Sequence, residues 1–105
     1  MRFRRRGRFA DVIARQLDLF EREHADAIAE ARERLEAYHR AGRDEAEELY
    51  GDYVDAVEAG TELLADMRWE YRRTLDDAAA DEYEAEFNRA AARRFPPFGL
   101  ELGNR

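Results

Sequence analysis

Hydrophobic residues recur every three or four positions along the first forty residues of this chain. From the start they are Phe9, Ile13, Leu17, Phe20, Ile28, Ala31, Leu35 and Tyr38, and the polar His24 occupies one position of the same row. This spacing places side chains on one face of an α-helix. The pattern therefore predicts a single helix over residues 8–40. It should end at Ala41-Gly42, where glycine can adopt the left-handed cap conformation.

A second row of hydrophobic residues follows the four acids Asp44, Glu45, Glu47 and Glu48, which suit the first turn of a helix. The row contains Leu49, Tyr50, Tyr53, Val54, Val57, Leu64, Met67 and Tyr71. It predicts a helix over residues 44–73, with a break near Thr74, where Thr74 to Asp77 fits a capping box. One unbroken helix to Arg94 is the alternative.

A third row continues from Leu75 through Ala79, Tyr83, Phe87, Ala91 and Phe95 until Pro96-Pro97 stops it. We therefore predict an all-α fold, in which a long antiparallel helical hairpin and a third helical segment assemble into a bundle. Residues 1–8 form a basic N-terminal arm, 9–95 the helical domain and 96–105 a C-terminal tail. A turn near Gly42 should bring Phe20 close to Leu64, and His24 opposite Gly60.

Composition limits how much this chain can bury alone. With 105 residues, of which 41% are charged, it forms one domain with a thin core, so we expect a homo-oligomer. The chain has no Cys and no Ser, which excludes disulfides and both thiol and serine nucleophiles. No apolar run approaches the roughly 20 residues of a membrane span, and no secretion signal follows the basic start. We predict a cytoplasmic protein without a membrane partner.

Charge is distributed unevenly along the chain. The net charge is −7, yet five of the 18 arginines lie within residues 1–8. Such an arm could bind nucleic acid or an anionic membrane surface, but the acidic remainder of the chain repels both. A nucleic-acid partner is therefore not expected. The arm is better explained by contact with the acidic part of its own chain or of a neighbouring chain.

One set of residues has the chemistry of a metal site. Glu21 and His24 form Glu-x-x-His, which puts a carboxylate and an imidazole on one helical face. The predicted hairpin brings Glu58 and Glu62 to the opposite side, and this set suits iron, manganese or zinc. Alternatively, His24 is a core histidine that is hydrogen-bonded to Glu21 or to a glutamate of the facing helix.

These residues resemble the ferritin-like di-iron proteins, in particular the short two-helix ferritins stored inside encapsulin shells. Glu21 and His24 match the Glu-x-x-His element, and Glu58 or Glu62 matches the single glutamate of the other helix. The two elements occur in reversed order along this chain. The resemblance implies paired hairpins that form a four-helix bundle and bind iron.

Three functions follow from these observations. The leading one is a non-catalytic helical oligomerisation or interaction protein, which associates through the wide apolar face of residues 49–71. The alternative is a small ferritin-like metalloprotein that binds iron or manganese through Glu21, His24 and the glutamates of the facing helix. In the third, the C-terminal tail binds a protein partner as an added strand, through Phe98, Leu100 and Leu102.

Overall fold

The computed structural model describes residues 7–105, and these residues form an all-α fold, as predicted. The helices are α1 (Ala10–Glu23), α2 (Ala25–Arg40), α3 (Arg43–Arg72), α4 (Asp77–Arg94) and α5 (Pro96–Gly99), and a short 3₁₀ helix follows (Leu102–Asn104). The predicted basic arm lies outside the described residues, except for Gly7 and Arg8. Within the described part of the chain, no helix combines the length and the apolar character that a membrane span requires.

The predicted hairpin turn is confirmed. α2 and α3 pack against each other along the chain on either side of Ala41 and Gly42. Gly42 has φ −77° and ψ 170°, and its carbonyl oxygen accepts hydrogen bonds from the backbone N–H groups of Glu45 and Ala46. The left-handed cap predicted for Gly42 is therefore wrong, because this glycine is extended and starts α3 instead of ending α2.

The prediction of one helix over residues 8–40 is wrong at a single residue. His24 has φ −122° and ψ 33° and separates α1 from α2. Its backbone still continues the helical hydrogen bonds, since its N–H donates to Phe20 and its carbonyl oxygen accepts from Ile28. The two helices on either side of this break have different partners: α1 packs against α4, whereas α2 packs against α3.

The predicted break between the second and third helical segments is confirmed, but its cap differs from the prediction. Asp76 is the N-cap of α4, and its carboxylate accepts a hydrogen bond of 2.9 Å from the backbone N–H of Ala79. The Thr74 hydroxyl instead donates to the carbonyl oxygen of Tyr71 at 2.6 Å. The capping box predicted from Thr74 is therefore wrong, and the aspartate two residues later starts the helix.

The core lies where α1, α4, α5 and the C-terminal end of α3 meet. Its fully buried side chains include Phe20, Leu64, Tyr83, Phe87 and Leu102. The rings of Phe20 and Phe95 meet edge-to-face with centroids 5.2 Å apart, a favourable aromatic geometry. We call this part, made of α1, residues 60–72 of α3, α4, α5 and the 3₁₀ helix, the body.

Gly60 is a point of close approach between α3 and the C-terminal segment. A Cβ atom added at Gly60 would lie 2.5 Å from the ring of Phe98, so the phenyl ring needs the space that glycine leaves. The sequence predicted that Gly60 makes room for His24. That partner is wrong, because the chain turns at Phe95, between α4 and α5, and brings Phe98 to this position.

Candidate functional site

The four predicted metal ligands lie in different surroundings. The Glu21 carboxylate accepts a hydrogen bond of 3.2 Å from Arg94, while the His24 ring lies beside Phe20 with centroids 5.2 Å apart. Glu58 and Glu62 are exposed on α3. They line different depressions, Glu58 with Tyr50 and Pro97, and Glu62 with Arg68 and Trp69.

Residues 7–105 contain no group of three or more His, Asp or Glu side chains that could hold one metal ion. Glu21 is also engaged by Arg94, which forms a second ion pair of 2.6 Å with Asp18. The hydrogen bond that Arg94 donates to Asp18, together with the one that it donates to Glu21, raises the pKa of Arg94. Metal binding by Glu21, His24, Glu58 and Glu62 stays a prediction for an assembly in which a second chain supplies ligands.

The C-terminal segment is folded onto the body. Phe98 and Leu102 are 2% and 0% exposed, and residues 96–104 are mostly helical. The prediction that Phe98, Leu100 and Leu102 alternate along an extended strand is therefore wrong. Leu100 alone of the three projects into solvent, with 71% of its surface exposed. Partner binding by this segment stays a prediction.

A buried arginine that the sequence analysis missed anchors this segment. Arg68 donates hydrogen bonds to the carbonyl oxygens of Leu102 and Arg105, at 3.1 and 3.0 Å, and to Asn88 at 2.7 Å. It also pairs with Glu84 at 3.2 Å, and burial lowers its pKa more than Glu84 raises it. The signal in the sequence is its position, because Arg68 follows the buried Leu64 by four residues on the same helical face.

The α2–α3 hairpin beyond the body buries much less. We call residues 25–59 the hairpin arm, and Ala31 is its one buried residue. Its larger apolar side chains are all half-buried or more exposed, namely Ile28, Leu35, Tyr38, Leu49, Tyr50, Tyr53, Val54 and Val57. Two helices alone can cover only the seam between them. The remaining apolar surface faces outward.

That outward surface lies on one side of the arm. On α3, Tyr50, Val54 and Val57 share this side, whereas Asp52 and Asp55 lie about half a helical turn away. On α2, Ile28 and Leu35 point to this same side of the arm, whereas Glu30 and Arg34 point to the opposite side. The arm therefore has an apolar face and a polar face.

Two grooves cross the apolar face, separated by a ridge of Tyr53, Pro96 and Pro97 that borders both. The α2-side groove has a volume of about 240 Å³. Its lining includes Ile28, Ala31, Arg32, Leu35, Arg94, Phe95 and Phe98. The α3-side groove is larger, about 520 Å³. Its lining includes Tyr50, Val54, Val57, Glu58, Thr61, Leu100, Glu101 and Arg105.

The walls of these grooves are held in place from within. The Thr61 hydroxyl donates a hydrogen bond of 2.8 Å to the carbonyl oxygen of Val57. It also lies 3.2 Å from the carbonyl oxygen of Phe98. Together with the hydrogen bonds of Arg68 to Leu102 and Arg105, this holds the C-terminal segment against α3. Three tyrosines extend the apolar face toward the hairpin turn, with Tyr38 and Tyr50 rings 5.1 Å apart and Tyr50 and Tyr53 rings 6.3 Å apart. Preformed apolar grooves with tyrosines are typical of protein interfaces.

Comparison with known proteins adds no relative: no protein-family model, curated protein or solved structure matches this chain. The apolar face of the hairpin arm is therefore the candidate functional surface on the strength of its geometry alone.

Proposed function

We propose that this chain is a non-catalytic helical oligomerisation and interaction protein, which associates through the apolar face of its hairpin arm. The observation that carries the proposal is the contrast in burial within α3. Leu64 is 0% exposed in the body, whereas Tyr50 on the same helix is 50% exposed and its neighbours Tyr53, Val54 and Val57 are only half-buried.

Apolar surface gains free energy when it leaves water, at roughly 25 cal/mol per Å². A hairpin presents two such helices side by side, and a further helical element laid on them completes a bundle. A standard interface buries about 800 Å² on each partner, about a tenth of the surface of a small protein. The chain exposes 7625 Å², so an interface of this standard size would cover about a tenth of its surface.

The chemistry of the chain supports a binding role over a catalytic one. The sequence has no Cys or Ser, and the described residues hold no cluster of metal-ligating side chains. Among residues 7–105, Tyr83 is the one acidic group with a strongly shifted pKa, which burial raises to about 12. A tyrosine buried in the body at that pKa stays protonated at neutral pH and serves packing.

The proposal is tested by sedimentation velocity over a range from nanomolar to high micromolar concentration. We expect reversible association of the native chain, weakened by Tyr50→Gln on the apolar face. The matched control is Trp69→Gln, since Trp69 is also an exposed aromatic of α3, at 57%, but lines a different depression outside the arm. A native chain that remains monomeric at every concentration would reject the proposal. Dissociation by Trp69→Gln instead of Tyr50→Gln would move the interface elsewhere.

A further inference from the structure

The C-terminal segment, residues 96–105, forms one wall of each groove on the apolar face. Its residues in the α2-side groove are Pro96, Pro97 and Phe98. Its residues in the α3-side groove are Pro96, Pro97, Leu100, Glu101 and Arg105. Most of the other lining residues belong to the hairpin arm. Both grooves therefore depend on the segment lying against α3.

Side chains attach this segment to the helices beneath it. Within the described chain, the backbone hydrogen bonds of the segment stay inside residues 95–105. Arg68 of α3 donates hydrogen bonds to two carbonyl oxygens of the segment, and the Thr61 hydroxyl lies 3.2 Å from a third. The side chains of Phe98 and Leu102 are buried in the body. A segment attached by side chains alone can detach as a unit while the longer helices stay intact.

Arg68 supplies the polar part of this attachment. It is 5% exposed and lines neither groove. On α4 it is bonded to Glu84 and Asn88, so its guanidinium joins the segment to two helices at once. A buried guanidinium that loses acceptors costs free energy until water replaces them. Arg68 therefore acts on the groove walls through the segment, as a positioning residue.

The packing of the segment leaves no room at Gly99. A Cβ atom added at Gly99 would overlap the backbone of Ala91 on α4. The backbone of a packed helix cannot move aside as the end of a flexible side chain can. Alanine at this position therefore displaces the segment itself. Gly103 of the same segment is different, because a Cβ atom there meets nothing within 4 Å.

We propose that the C-terminal segment is a latch, which opens and closes as one unit and presents the two grooves for association only when it is closed. This inference rests on the proposed function and specifies how that surface is regulated. Opening removes one wall from both grooves together. By linkage, association through the grooves must in turn favour the closed latch.

The first test uses the native chain at full length. The Phe98 and Leu100 amides donate hydrogen bonds inside the segment, and a helix as short as α5 is not stable in water by itself. These amides therefore exchange with solvent when the latch opens. By NMR, their exchange should be at least about tenfold faster than in the middle of α4. It should slow about tenfold when the protein concentration rises from far below the association Kd to far above it.

A pair of glycine substitutions compares an open latch with an intact one. Gly99→Ala should speed exchange at Phe98 and Leu100 about tenfold or more, and should raise the association Kd about tenfold, because the apparent affinity falls with the closed fraction. The matched control Gly103→Ala should change both quantities less than about twofold. Neither glycine lines a groove, so a lost contact with the partner does not explain the difference.

A third variant opens the latch from the side of α3. Arg68→Met removes the hydrogen-bond donors and keeps a long side chain, and it should raise both the exchange rate and the Kd about tenfold. This variant decides the question if Gly99→Ala does not fold. Circular dichroism checks that the helices are formed, and the amides of α4 report any general loss of stability.

The outcomes separate this inference from the proposed function. A native chain that does not associate would overturn both. If the native chain associates but Gly99→Ala and Arg68→Met leave its Kd unchanged, the interface stands and the latch is rejected. Segment amides that exchange at the rate of α4, or at a rate independent of concentration, also reject the latch. So do equal effects of Gly99→Ala and Gly103→Ala.

Discussion

The hairpin arm and the body are built from the same kind of amphipathic helix, yet they bury different amounts of it. In the body, Phe20, Leu64 and Tyr83 are completely buried because α1, α3, α4 and the C-terminal segment surround them. In the arm, α2 and α3 pack mainly against each other, and Leu35 and Tyr53 stay half-buried. The difference teaches that burial here depends on the number of packed neighbours, since the residue types are alike.

The body and the arm also differ in their polar interactions. The body holds Arg68 in a network with Glu84, Asn88 and two carbonyl oxygens, and Tyr83 donates a hydrogen bond to Gln16 at 2.9 Å. Such buried networks cost free energy when they are left incomplete, so they favour one arrangement of the surrounding helices. The polar side chains of the arm lie at its surface, where Arg34 pairs with Glu30. The arm is therefore the region whose packing a partner can complete.

The largest expected effect on stability comes from a pair of leucine-to-alanine substitutions, one in the body and one in the arm. Leu64→Ala should lower the free energy of unfolding by about 2–5 kcal/mol, because it leaves a cavity in the body. Leu35→Ala should cost about 1 kcal/mol in the dissociated chain, since its side chain is already partly exposed. Urea denaturation measures both free-energy changes, at a protein concentration below the Kd of self-association. Equal costs would show that the arm is as closely packed as the body.

Alkaline pH should affect the body through Tyr83. Burial raises the pKa of Tyr83 to about 12, above the ordinary value of 10.0. Above pH 10 the unfolded chain therefore loses this proton before the folded chain does, and stability falls as pH rises. The loss should reach about 2 kcal/mol by pH 12.

The comparison variant is Tyr83→Phe. At pH 7 it should be less stable than the native chain by about 1 kcal/mol, because it lacks the hydrogen bond to Gln16. Toward pH 12 this difference should shrink and then reverse, because the variant has no proton to lose at this position. Urea denaturation at several pH values follows the change, and parallel pH profiles of the two proteins would contradict it.

Two glycines of α3 provide the next comparison. Gly60→Ala should destabilise by about 1–3 kcal/mol, because the new methyl group overlaps the ring of Phe98. Gly51→Ala should stabilise by up to about 1 kcal/mol, since a Cβ there meets nothing within 4 Å and alanine favours the helix. The difference in sign, read from urea midpoints, is the result to check. Two stabilising substitutions would mean that Phe98 does not pack over Gly60.

The smallest expected effect concerns metal ions at His24, which lies at the junction of arm and body. Iron(II), manganese(II) or zinc(II) should shift the melting temperature by less than about 1 °C, because Glu21 is paired with Arg94 and residues 7–105 of one chain assemble no group of three ligands. A larger shift that disappears in His24→Ala would instead support the metal set of Glu21, His24, Glu58 and Glu62.

Much of the local structure follows from the sequence by itself. The rows that begin at Phe9, Leu49 and Leu75 predict helices because the side-chain direction repeats along any helix. The turn at Gly42 and the end of α4 before Pro96 follow from residues that start or stop helices wherever they occur. The wide apolar face predicted for residues 49–71 also holds in part, since Tyr50, Val54 and Val57 lie on the outward face while Leu64 belongs to the core.

Tertiary structure alone decided which helices meet. The same row that predicts the first helix does not reveal that the chain bends at His24 and lays α1 on α4. The position of Phe98 over Gly60 and the burial of Arg68 beneath the C-terminal segment depend on residues more than thirty positions apart. A hydrophobic repeat predicts which face of a helix will be covered. What covers it is set by the packing of distant segments, and for the arm the covering element lies beyond the single chain in our proposal.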